Sequence, residues 1–154
     1  MSKGGYWQVK PDSDSEEILL KLAAVLGIDL DSEDVPDLHC TLAYDKRNPE
    51  VQARPDEDAE FFAVVKSATI FGGDDKVLVL LLESEDLCKE HDRIHACGAA
   101  HFDFSPYQPH VSLLYNAKDS QVEYLNEILG HPGRPPITLR FTNESQEPIN
   151  EKAR

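Results

Sequence analysis

The chain predicts an α+β fold built on a mixed or antiparallel sheet, on the strength of three observations. Strand-like and helix-like segments follow one another in the order β, α, β, β, β, α, β, α, β, which does not suit a doubly wound parallel sheet. Two apolar runs, Glu60 to Phe71 and Lys76 to Glu83, are joined by Gly72-Gly73-Asp74-Asp75, the pattern of a hairpin. Two other strand-like runs carry matching tripeptides, His39-Cys40-Thr41 and His110-Val111-Ser112, each a histidine, an apolar spacer and a hydroxyl residue.

The first strand is read over Gly5 to Lys10 and is closed by Pro11 and a Ser/Asp cluster suited to a turn and a helix cap. Ser15-Glu16-Glu17 opens a helix in which Ile18, Leu19, Leu22, Ala23, Val25 and Leu26 recur at helical spacing, and Gly27 ends it. The first motif strand runs from Leu38 to Tyr44 after an acidic connection, and residues 45 to 58, rich in charge and proline, form an exposed loop. After the hairpin, Ser84-Glu85-Asp86 caps a second helix that runs to about Cys97, with Gly98 at its end. An aromatic, irregular stretch from His101 to Pro109 leads into the second motif strand, His110 to Tyr115. A short helix to Leu129 follows, capped by Asp119 or Ser120. The rigid loop His131-Pro132-Gly133-Arg134-Pro135-Pro136 comes next, then a last strand from Ile137 to Thr142 and a polar tail.

The 154 residues make one domain over 1–154, large enough to bury a core without disulfides or a structural metal. The longest apolar stretch, Val77 to Leu82, is too short to cross a bilayer, and the N-terminus has no export signal, so a cytoplasmic protein is expected. Cys40, Cys88 and Cys97 form no CxxC pair and read as small packed residues in a reducing compartment. The net charge of −14 disfavours long nucleic acid as a partner, because that binding requires many phosphates to be neutralised at once. A small phosphorylated ligand remains compatible, since a local pocket can receive it whatever the global sign.

On a strand successive side chains alternate, so His39 and Thr41 share one face and Cys40 and Leu42 the other; His110 and Ser112 are arranged alike against Val111 and Leu113. One such tripeptide is ordinary, but two in the same apolar frame, each leading on to a tyrosine, make a pair of proton carriers beside a pair of hydroxyl donors. Two histidines of opposite protonation can serve in-line cleavage of a phosphodiester, with Thr41 and Ser112 donating to the nonbridging oxygens and no metal needed. Which histidine is base and which acid stays open in the sequence.

These motifs resemble those of the 2H phosphoesterase superfamily, and within it the chain is most similar to the phage anti-CBASS phosphodiesterases, which destroy cyclic oligonucleotide signals of bacterial defence. The resemblance extends to Gly5-Tyr6-Trp7, to Phe104-Ser105-Pro106-Tyr107-Gln108-Pro109 and to the closing Glu144-x-x-Glu147-Pro148 segment. It implies a duplicated fold whose sheets form a central cleft with helices packed outside. It also implies an enzyme that opens 3′,5′-linked cyclic di- or trinucleotides in the host cytoplasm; a monomer without a cofactor and without contact with membrane or long nucleic acid is expected. The alternatives are an RNA-end 2′,3′-cyclic phosphodiesterase and a nucleotide sponge that does not cut.

Bases need stacking surfaces, for which Tyr6, Trp7, Phe71 and Tyr107 are candidates. Tyr6 and Trp7 point to opposite sides of their strand, so one of the two belongs to the core, and the resemblance favours Tyr6 and Phe71. Glu144 and Glu147 are candidates to accept from a base amino group. His91 and His95 lie four apart on the second helix, but Asp92 stands where a zinc protease motif has glutamate and no third ligand is evident, so no metal site is assigned. His101 and Asp103 are read as loop residues, and the Gly72-Gly73 turn is too short for a P-loop.

Overall fold

The computed structural model describes residues 6–29, 36–44, 58–72, 76–96 and 108–147, without the side chains of Tyr6, Ala43, Tyr44, His95, Gln146 and Glu147. Among the described residues the elements run β1 (Tyr6–Pro11), α1 (Ser13–Val25), β2 (Cys40–Tyr44), β3 (Phe61–Phe71), β4 (Val77–Glu83), α2 (Glu85–Ala96), β5 (His110–Leu114), α3 (Asp119–Leu129) and β6 (Thr138–Glu147). The order of types is the one expected. Every pairing is antiparallel, and the strands close into a barrel in the order β1-β2-β5-β4-β3-β6, with β6 returning to β1. Among the described residues the antiparallel sheet is one continuous barrel.

The hairpin β3–β4 forms as read, with Phe71 opposite Val77 and Ala68 opposite Leu80. β6 runs five residues past the expected end at Thr142, because β1 supplies a second partner beyond β3: Gln8 faces Ser145 and Tyr6 faces Glu147. In β6 the register shifts between the Lys10–Thr142 and Gln8–Ser145 pairs, where Asn143 takes the left-handed conformation, which asparagine tolerates better than most residues. Tertiary pairing of this kind is not written in local periodicity.

α1 begins two residues earlier than expected. Asp12 is the cap, its Oδ1 accepting from the Ser15 amide at 2.8 Å, while the Ser15 hydroxyl turns inward and accepts from the Arg140 amide at 2.8 Å. Gly27 ends the helix at φ +81°, a conformation that suits glycine. α2 starts as read: the Ser84 hydroxyl accepts from the Leu87 amide at 3.0 Å and donates to the Phe62 carbonyl at 2.6 Å. In α3 the Gln121 side chain accepts from the Lys118 amide at 2.7 Å, so the cap lies one residue before Asp119.

The core collects Val9, Cys40, Leu42, Leu80, Leu82, Val111, Leu113 and Leu139 from the strands with Leu19, Leu22, Leu87, Ile94 and Leu125 from the helices. Cys40 is buried and Cys88 half-buried; Cys97 lies outside the described residues. The Asn126 amide of α3 is stitched to β3, donating to the Ala68 carbonyl at 2.9 Å and accepting from the Ala68 amide at 2.7 Å. Asn126→Ala strips a backbone donor and acceptor of their partner together, at a cost of about 2 kcal/mol. For a domain of this size that lowers Tm by about 4–8 °C in a thermal melt.

Candidate active site

The spacers of both motifs lie in the core: Cys40, Leu42, Val111 and Leu113 are all fully buried. His39, Thr41, His110 and Ser112 therefore project from the opposite face of their strands, each half-buried. β2 and β5 are neighbours and pair at Cys40 and Val111. That pair sets the two motifs side by side, with Thr41 and His110 following and preceding it, and with His39, just before the start of β2, and Ser112 on its other side. The four residues form a two-by-two array on one face.

The two histidines are held alike. His39 Nδ1 bonds the Asp37 carbonyl at 3.0 Å, and His110 Nδ1 bonds the Gln108 carbonyl at 3.0 Å. A carbonyl only accepts, so Nδ1 carries the proton in both rings. The reactive lone pair or second proton of each ring is thereby assigned to Nε2. Gln108 is itself braced, its amide donating to the carbonyls of Leu82 and Pro109, each at 2.9 Å. The rings differ in surroundings, however. Burial pushes the His110 pKa below the ordinary histidine value, the charge of His39 lowers it further, and the bond to the Gln108 carbonyl opposes both.

Phe71 lies in the site, its ring centroid 4.9 Å from that of His110 at an interplanar angle of 71°. Its edge-to-face contact helps bury His110, a service to the histidine itself that sequence reasoning did not foresee. Gln8, 7% exposed, stands opposite Thr41 in the β1–β2 register and continues the site row onto β1. The signal for Gln8 was present in the alternation of Trp7, Gln8 and Val9, where a polar residue breaks an apolar strand.

The other expected contacts divide. Trp7 is fully buried within the core and is corrected from a stacking residue to a packing one. Glu144 is also corrected: its side chain is fully buried and faces Arg93 of α2 at 3.7 Å, an internal charge partner and not a group at the solvent edge. Arg93 also holds Glu90 at 2.6 Å. The backbones of Tyr6 and Glu147 pair directly across β1 and β6, and their side chains lie outside the described residues. Tyr107, His101 and Asp103 lie outside them as well. His91 is engaged with the Leu42 carbonyl at 2.6 Å.

Paired histidine-x-hydroxyl motifs set side by side in an antiparallel six-stranded barrel define the class of this protein by its fold. The crystal structure of E. coli LigT in apo form has this fold, with a TM-score of 0.53 over 97% of this chain and 96% of that one at 15% identity. The chain belongs to the family of the anti-CBASS protein Acb1, whose family model matches residues 3–154. The anti-CBASS protein Acb1 of Escherichia phage RB16 is 26% identical over 152 residues, covering 97% of this chain and 83% of that protein. The protein of the same description from Salmonella phage S16 is 35% identical over 74 residues, which is 46% of this chain and 48% of that protein.

Proposed function

We propose that this protein is a phosphodiesterase that opens 3′,5′-linked cyclic di- or trinucleotides and so disarms a nucleotide signal of bacterial defence. The observation that carries the reading is the array on β2 and β5, in which two histidines with the same Nδ1–carbonyl bond flank two hydroxyls. Family membership supports the counter-defence role. The reading also treats β1-α1-β2 and β4-α2-β5 as two copies of one unit, each ending in a motif strand and meeting its counterpart at the β2–β5 seam.

In this reading His110 is the base and His39 the acid. A buried imidazole whose pKa is lowered is neutral at neutral pH, and its Nε2 lone pair takes the proton of the attacking hydroxyl, either the ribose 2′-hydroxyl or water. The new oxygen–phosphorus bond forms as the bond to the 5′-oxygen breaks, and protonated His39 delivers its Nε2 proton to that leaving oxygen. The hydroxyls of Thr41 and Ser112 donate to the nonbridging oxygens, where charge grows in the transition state. These residues supply every proton the step requires.

The test is a panel of cyclic di- and trinucleotides and 2′,3′-cyclic mononucleotides, incubated with the protein in EDTA and followed by mass spectrometry. Opening of a cyclic oligonucleotide in EDTA is expected. A product of unchanged mass marks attack by the 2′-hydroxyl, and a gain of one water marks hydrolysis. Turnover of the 2′,3′-cyclic mononucleotides alone, release of intact ring from a stable complex, or loss of activity in EDTA would each overturn the proposal in a different part.

A further inference from the structure

We propose that His91 is a positioning residue for the first histidine motif. The inference rests on the reading of β2 and β5 as one catalytic array. His91 sits on α2, is 8% exposed, and places Nδ1 2.6 Å from the carbonyl oxygen of Leu42, the residue after Thr41. The carbonyl accepts, so the ring donates from Nδ1. A leucine would pack in such a site without having to be desolvated, so a polar ring there depends on the bond it makes.

α2 is a fixed reference for that bond. Its start is tied to β3, with the Ser84 hydroxyl on the Phe62 carbonyl at 2.6 Å and Asp86 accepting from the Phe62 amide at 3.0 Å. Further along, Arg93 faces Glu144 of β6 at 3.7 Å. β2, in contrast, is five residues long, and its register with β5 among the described residues is the single pair Cys40–Val111, against seven pairs between β3 and β4. The seam that sets His39 and Thr41 against His110 and Ser112 is thus the short one. The His91–Leu42 bond fastens β2 from the core side, one residue beyond Thr41, and thereby sets where Thr41 and His39 stand relative to the second motif. The sequence flagged His91 for a helical spacing with His95; its use is to hold a strand.

Three variants of the full chain test this: His91→Leu, His91→Asn and His91→Gln. An asparagine amide nitrogen sits near the place of Nδ1, whereas that of glutamine reaches the place of Nε2. With the ring that the wild type opens fastest as substrate, His91→Leu is expected to lower kcat about 10- to 100-fold, the cost of a misplaced catalytic group, with KM within about twofold. His91→Asn is expected to hold kcat within about threefold of wild type, and His91→Gln to behave like the leucine variant. Amide hydrogen exchange across residues 40–44 reads the same placement with no substrate: it rises in the leucine and glutamine variants and not in the asparagine one. Unchanged kcat in His91→Leu, a loss carried by KM, or losses that follow melting temperature regardless of the donor's position would overturn the proposal. A wild type that opens no ring overturns the catalytic reading, and the exchange measurement then still decides whether His91 fastens β2.

Discussion

With His110 as the proposed base, His110→Ala is expected to lower kcat by about 100- to 10,000-fold while leaving the affinity for the uncut ring within a few-fold, because a general base acts on the transition state and adds little to ground-state binding. The magnitude follows from how completely the site commits His110 to one role. Its Nδ1 proton is held by the Gln108 carbonyl, its ring is packed against Phe71, and burial together with the charge of His39 lowers its pKa. The base is lost only when the ring is protonated, so the acid limb of kcat/KM in the wild type falls below the ordinary histidine value of about 6.5. In His110→Ala the limb disappears from what rate remains. The same shift has a sign in stability. Between the lowered folded pKa and the unfolded value of about 6.5 the unfolded chain binds more protons, so the stability contributed is complete above the upper value and lost as pH falls towards the lower one. Tm of the wild type therefore drops more between pH 7 and 5 than that of His110→Ala. Near-normal turnover by His110→Ala would refute the assignment.

His39→Ala is expected to cost a similar factor on the natural ring, about 100- to 10,000-fold, but to be rescued by chemistry that His110→Ala is not. A substrate whose 5′-bridging oxygen is replaced by sulfur expels a thiolate, which leaves without being protonated. On that substrate the acid is dispensable and the base is not. His39→Ala is expected to recover at least about 100-fold of its loss there, whereas His110→Ala stays impaired. Rescue of His110→Ala instead would exchange the two roles, and rescue of neither would refute a general acid among them.

Much of this site is legible along the chain because period-two alternation decides, from composition alone, which side of a strand faces the core. Leu38, Cys40 and Leu42 against His39, Thr41 and Ala43 already separate packing from chemistry, and the fully buried Cys40 and Leu42 agree with that division. The hairpin is equally local, because a glycine-rich turn between two apolar runs fixes its own partner. Local pattern fails at Trp7 and Tyr6, where alternation says that one ring faces the core without saying which, and at Glu144, whose carboxylate meets Arg93 from a helix, 51 residues earlier in the chain.

By itself, then, the sequence determined the kinds of element, their order, and the presence of a pair of matching histidine motifs, since each depends on residues within one turn or strand. Tertiary structure alone decided that β2 and β5 are neighbours paired at Cys40 and Val111, that Phe71 packs edge-on against His110, and that burial lowers the His110 pKa. The physical reason is that strand pairing and desolvation are properties of contacts between segments some 70 residues apart, and no periodicity within either segment encodes them.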